Sequence, residues 1–201
     1  MNSPFSAVLM AGGGSCRMGS DKAGLSLGGQ PLWRRQVEVL QAAGAAEVMI
    51  SGDPDPNGPF AGSDFLVLPD ETSGAGPLGG LIMALRRARH SFLMVLAVDM
   101  PAMTSDGLRG IFSQVKIGRG CVPQREGRFF EPLAAVYPRE VLELAETRQR
   151  AGALALQGFV ASAVAEGLVV AAEISPDELG LYLNVNTPEA WAAFASSGNS
   201  Y

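Results

Sequence analysis

The sequence predicts a three-layer α/β domain built on a mostly parallel central sheet. Short apolar runs, above all "FSAVLM" at 5–10 and "SFLMVLAVDMP" at 91–101, lack polar alternation, the pattern of strands buried on both faces. Between such runs lie amphipathic stretches of helical period, and strands alternating with helices of this length imply right-handed βαβ crossovers covering both faces of the sheet. At 201 residues, 47% of them hydrophobic, the chain can bury a sizeable core and suits one domain.

The elements follow in order. After the first strand, "PLWRRQVEVLQAAGA" at 31–45 reads as a helix: Pro31 stands near its first turn, Leu32, Trp33, Gln36, Val37 and Leu40 recur at helical spacing, and Gly44 is its stop. Strands at 46–51 and 64–70 flank the Pro/Gly/Asp-rich loop "GDPDPNGPFAG". "GPLGGLIMALRRA" gives a second helix, and 91–101 is the strongest buried strand. Beyond Pro101 a helix is expected at 105–115, capped by Ser105, then strands at 120–124 and 131–137 joined by the polar link "REGRFF". "REVLELAETRQR" and "ALALQGFV" read as helices, "GLVVAAEI" and "LYLNVN" as strands, and "PEAWAAFASS" as a terminal helix. No internal repeat is present.

Composition narrows the function. A formal charge of −5 and a pI of about 4.9 argue against a general nucleic-acid surface, which needs a basic face, so any anion must meet a local cluster. Cys16 and Cys121 form no CxxC or Cys/His spacing, which suggests neither a disulfide framework nor a zinc site and makes a reducing cytoplasm the expected home. No basic leader opens the chain and no run approaches the roughly 18 apolar residues of a membrane span, so neither secretion nor membrane association is expected. The single His90, at the end of the second helix, reads as structural, and hydrolase chemistry lacks a nucleophile and base around it.

The stretch "VLMAGGGSCRMGSDKAGL" carries the first chemical signal, because ligands of open α/β sheets bind beyond the carboxyl ends of strands. A dinucleotide fingerprint would need a third glycine where Arg17 stands. A P-loop would need Lys-Ser/Thr after Gly19, where Ser20 and Asp21 follow. What remains is a long loop with bare backbone at Gly12, Gly13 and Gly14 and cations at Arg17 and Lys22, a set that suits a triphosphate; the competing reading is a solvated turn.

"MAGGGSCRMGSDKA" resembles the signature of the nucleotidyltransferases, and within them the molybdenum cofactor guanylyltransferases, the MobA-like proteins. "LPDETSGAGPLGG", "LAVDMPAMT", "EPLAAVYP" and "LYLNVNTPEAW" agree in order and spacing, so the resemblance spans nearly the whole chain. It implies a three-layer α/β/α Rossmann-like nucleotidyltransferase fold in a single domain over 1–201, with a nucleotide-binding half at 1–104 and an acceptor-binding half at 105–201.

Asp99, where its strand runs out, is expected to be a metal ligand rather than a helix cap. Magnesium is held by one or two carboxylates together with substrate phosphates, and the resemblance assigns Mg²⁺ here. It also implies that Lys22 and Arg17 contact phosphate, with Lys22 bridging nucleotide and acceptor, and that Asp21 orients Lys22 or its loop. Met10, Ala11, Gly12, Gly13, Gly14 and Ser51 fall to the nucleotide, while Asp70 and the "GAGPLGG" turn, with Gly76, Pro77 and Leu78, would build the base pocket. Gly74, Gly76, Gly79 and Gly80 would let backbone approach the ring; an ordinary Gly-Pro helix entry is the alternative. In the family that the chain resembles, an Ala-Gly-Gly loop and a Gly-Pro-Leu turn accompany guanine, so the resemblance implies guanine as the base.

Asn184 and Asn186, alternating on a short strand, share a face that can hold a pterin edge, a phosphate or a metal-bound water, although Asn186 alone could serve a turn before Thr187. Arg125 and Arg128 face either the acceptor's phosphate or solvent. Met10 replaces the family's usual Leu, Ser51 stands where many relatives have Asn, and "REGRFFEP" lacks the His of some relatives.

The resemblance implies transfer of GMP from GTP to molybdopterin with release of pyrophosphate, and transient contact with cofactor-insertion proteins or molybdoenzymes. Three rivals remain: cytidylyl transfer to molybdopterin, guanylyl transfer to a cobamide precursor, and a non-catalytic nucleotide-binding module. A dinucleotide-dependent oxidoreductase is disfavoured by Arg17.

Overall fold

A computed structural model describes residues 3–12, 24–69 and 76–196. Its main sheet has eight strands: β1 (Ser6–Met10), β4 (Glu47–Ser51), β5 (Leu66–Leu68), β6 (Phe92–Ala97), β7 (Gly120–Arg125), β8 (Phe129–Phe130), β9 (Ala134–Pro138) and β10 (Val169–Glu173). β2 (Ser26–Leu27) and β3 (Gln30–Pro31) form a separate small hairpin. The order is β10-β7-β9-β6-β1-β4-β5, with β8 beside β7; β9 runs against β6 and β7, β8 runs against β7, and the other neighbours are parallel. The sheet is therefore mixed but mostly parallel, and the carboxyl ends of β1, β4, β5, β6 and β7 share one edge.

Helices cover both faces. Ala7, Leu9, Ile50, Met94, Leu96 and Val136 point to the side packed by α1 (Leu32–Ala42) and α3 (Ser105–Ser113). Val8, Met49, Leu93, Val95 and Ala135 point to the side packed by α2 (Gly76–Arg87), α4 (Val141–Arg150) and α5 (Leu156–Ala165). Successive residues of one strand thus enter opposite cores, which is why these strands read as unbroken apolar runs. Each large aliphatic side chain buried this way contributes about 1.5–3 kcal/mol relative to exposure. α1 ends where expected, with Gly44 at a φ of +102° that favours glycine.

Three local expectations change. Thr104, not Ser105, caps α3, its side-chain oxygen accepting from the Gly107 amide at 3.1 Å. "REGRFF" contains β8 rather than only a link. "LYLNVN" forms no strand: a 3-10 helix covers Pro176–Tyr182, and an extended segment then runs to α6 (Pro188–Ser196). The two-residue polar alternation is present at 184–186, but no neighbouring strand pairs with it among the described residues, so the period alone was misleading.

Candidate active site

The site is assembled by the strand ends. Met10 sits opposite both Ser51 and Ala97, and Ser51 opposite Leu68, so four strands finish level. Beyond them the Ala11 amide donates to the Ser51 carbonyl at 2.9 Å, Val98 to Met10 at 3.0 Å and Gly52 to Leu68 at 3.0 Å. These bonds carry sheet order one residue past each strand. Because Ala11's N–H is spent on Ser51, Ala11 would meet a nucleotide through its other atoms.

α2 stands over the same edge. A Cβ on Gly80 would lie 2.4 Å from Ser51 Oγ and 2.8 Å from Met10 Cε, so Gly80 is needed for the approach of helix to strand. Gly80's lack of a side chain therefore serves the packing against Ser51 and Met10. Gly76 opens α2 with a φ of +58° and is exposed, as is Pro77. The Leu78 side chain is wholly buried in the core, which leaves only its backbone for a ligand.

Asp99 is half-buried just beyond β6, in a tight turn that several bonds hold. The Met100 amide donates to Ala97 O at 3.3 Å, and the Asp99 carbonyl accepts from Val185 N at 2.8 Å. That last contact brings the segment at 183–187, distant in sequence, against the Asp99 turn. Val185 is buried with Ala102 and Phe194, while Asn184 and Asn186 on either side of it are exposed. Thr187 caps α6 by accepting from the Ala190 amide at 3.2 Å, which relieves Asn186 of that duty. The structure thus gathers Met10, Ala11, Gly12, Ser51, Gly76, Pro77, Asp99, Asn184 and Asn186 at one edge of the fold. Gly13, Gly14, Cys16, Arg17, Asp21, Lys22, Asp70 and Gly74 lie outside the described residues.

The Arg125 guanidinium is paired with Glu131 across the β7–β8 hairpin, with Nε donating to Oε1 at 2.5 Å. Arg128 lies over the Phe129 ring, 5.9 Å from its centroid. Burial raises the pKa of the Glu131 carboxyl, 8% exposed, while the hydrogen bond and charge of Arg125 act to lower it. Burial also pushes the Cys121 thiol up to about 11, which makes it inert as a nucleophile near neutrality. Sequence reasoning missed Glu131; its place six residues from Arg125 becomes a pairing signal only once the hairpin is known.

One polar residue on α1 was also hidden among apolar ones. Gln36 is fully buried, and its Nε2 donates to the Met100 carbonyl at 2.6 Å.

Among the described residues no group of three or more His, Cys, Asp or Glu side chains could hold a metal by themselves. One carboxylate at a strand end instead fits an ion that arrives with phosphate oxygens and keeps much of its water, as magnesium does. Thr104 anchors the far side of the Asp99 loop. Thr104→Ala is expected to cost about 1 kcal/mol, lowering Tm by about 2–4 °C in a domain of this size. Thermal melts against Thr104→Ser, which keeps the cap, check it.

An α/β sheet with helices on both faces and a carboxylate at the end of a central strand can seat a ligand beyond the strand ends, and comparisons define the class. The family model described as the MobA-like NTP transferase domain matches residues 7–166, and the chain belongs to that family. A probable molybdenum cofactor guanylyltransferase from Opitutus terrae is 38% identical over 190 residues, covering 93% of both chains. A molybdenum cofactor guanylyltransferase from Pseudomonas putida is 32% identical over 187 residues, covering 92% of this chain and 95% of the relative. Among solved structures, a nucleotidyl transferase from Methanothermobacter superposes with a TM-score of 0.78 at 18% identity, covering 97% of each chain, a likeness of fold.

Proposed function

We propose that the chain transfers GMP from GTP to molybdopterin. A terminal phosphate oxygen of the acceptor attacks the α-phosphorus, the bond from that phosphorus to the α,β-bridging oxygen breaks, and pyrophosphate leaves with the electron pair. The acceptor oxygen is already anionic near neutrality, so no covalent enzyme intermediate is required. The observation that carries the reading is the Val185–Asp99 backbone bond, which holds the segment carrying Asn184 and Asn186 against the Asp99 turn beyond β6.

In this reading Met10, Ala11, Gly12 and Ser51, with Gly13, Gly14 and Asp70, line the nucleotide, while Gly76, Pro77 and the Leu78 backbone border the base. Guanine offers donors at N1 and N2, which backbone carbonyls or a carboxylate can accept. Asn184 and Asn186 orient the acceptor, and Arg17 and Lys22 neutralise phosphate charge. Asp99 would hold Mg²⁺, which supplies charge neutralisation on the phosphates and leaving pyrophosphate. The chain's own task is positioning.

No helix among the described residues is long and apolar enough to cross a membrane. We place the protein in the cytoplasm, where it hands its product to cofactor-insertion proteins or molybdoenzymes.

Base choice is testable apart from turnover. GTP is expected to displace a bound fluorescent guanine nucleotide at least tenfold more effectively than ATP or CTP, a factor worth about 1.4 kcal/mol. Equal displacement by CTP would favour the cytidylyl reading.

A further inference from the structure

We infer that Gln36 is a positioning residue for Asp99, set behind it in the core and acting through the backbone of the turn that carries the carboxylate. The inference rests on the proposed role of Asp99. Gln36 lies on the inner face of α1 among Leu32, Trp33, Val37 and Leu40, a site that a hydrocarbon side chain would fill at less cost. Burying a primary amide there is unfavourable unless its polar atoms are used, and only part of this one is used. Nε2 donates to Met100 O at 2.6 Å, whereas Oε1, also buried, has no hydrogen-bond partner among the described residues. A glutamine kept in a core with half its amide unsatisfied points to the value of its one bond.

That bond falls on the residue following Asp99. The Met100 carbonyl also accepts from Met103 N at 3.1 Å, so Gln36 is not needed merely to satisfy it. What Gln36 adds is a tie from the turn to α1, 64 residues earlier in the chain. Val185 N holds the Asp99 carbonyl at 2.8 Å, and Val98 N holds β1 through Met10 O at 3.0 Å. The carboxylate thus stands on a turn tied to α1, β1 and the segment at 183–187. Removing the α1 tie releases the Met100–Pro101 peptide, whose carbonyl Gln36 holds, and loosens the turn that carries the carboxylate from its C-terminal side. Groups that orient a metal-binding side chain from behind typically cost about 10–100-fold in metal affinity or activity when lost, and Gln36 would act in this sense one step removed, through the backbone.

The test uses Gln36→Met, which keeps length and volume but has no donor, and Gln36→Leu as a second apolar variant. Both are expected to melt within about 2 °C of wild type or above it, because an unsatisfied amide leaves the core. Mn²⁺ binding in the presence of GTP, read by electron paramagnetic resonance, should weaken about tenfold. Binding of a fluorescent GTP analogue in EDTA should not change. At saturating Mg²⁺, kcat should fall while KM for GTP holds.

Wild-type Mn²⁺ affinity in both variants overturns the inference, as does a large loss of Tm accompanied by equal weakening of metal-free nucleotide binding, the mark of a purely structural role. Asp99→Ala, measured in parallel, separates the two levels. If it loses Mn²⁺ binding while the Gln36 variants keep it, only Gln36's role fails. If Asp99→Ala itself binds Mn²⁺ normally, the proposed metal site fails, and Gln36's role with it.

Discussion

Asp99→Ala is expected to lower kcat for guanylyl transfer about a thousandfold, equivalent to about 4 kcal/mol of transition-state stabilisation. The fold should survive, because backbone bonds hold this turn: the Asp99 carbonyl accepts from Val185, and the flanking residues bond to Ala97, Met10 and Gln36. An alanine preserves all of these, so the change removes the carboxylate while leaving the turn in place. Asp99→Asn refines the point, since it keeps size and one neutral oxygen but loses the charge that, in the proposed role, would attract a divalent ion. It should match wild type in stability and Asp99→Ala in activity. Steady-state kinetics with a magnesium titration, beside a thermal melt, check both halves. A variant that turns over within tenfold of wild type would remove Asp99 from the chemistry.

Gly120→Ala is expected to do the opposite, with a large loss of stability and little change in chemistry per folded molecule. An added Cβ would lie 2.1 Å from the Val136 carbonyl oxygen, 3.0 Å from its carbon and 2.8 Å from Pro138 Cδ. The obstacle is the backbone of β9, which β6 and β7 hold on its two sides, so it cannot swing away as a side-chain tip would. Overpacking of this kind costs about 3 kcal/mol, which corresponds to a fall in Tm of about 6–12 °C for a chain of this length. Gly120 begins β7 at the edge opposite Asp99, because β7 and β6 both run against β9. Activity measured well below the melt, normalised to folded protein, should therefore stay near wild type. A normal Tm would mean that β7 and β9 can part locally without strain.

The two variants divide the molecule as its sequence does. Runs such as "FLMVLA" announce the sheet because each strand is buried on both faces, and Asp99 stands out because an acid follows one of these runs directly. Less legible were features created by contact between distant segments. Gln36 falls on the apolar face of α1 and reads as one more core position; only the Met100 carbonyl, reached through the fold, gives it a task. Glu131 and Arg125 look like solvated charges until the hairpin folds one onto the other. Asn184 and Asn186 were singled out by strand periodicity, yet the segment is fixed by the Val185–Asp99 bond instead of a strand ladder. Thr104 and Ser105 are both competent caps by chemistry, and the extended backbone at Thr104 decides between them.

The decisive measurement is pyrophosphate release from GTP, ATP and CTP with magnesium, each with and without molybdopterin. Release from GTP alone, dependent on molybdopterin and accompanied by the guanine dinucleotide product, is the predicted result. GTP that binds but releases no pyrophosphate with this acceptor, or release from CTP in its place, would contradict it.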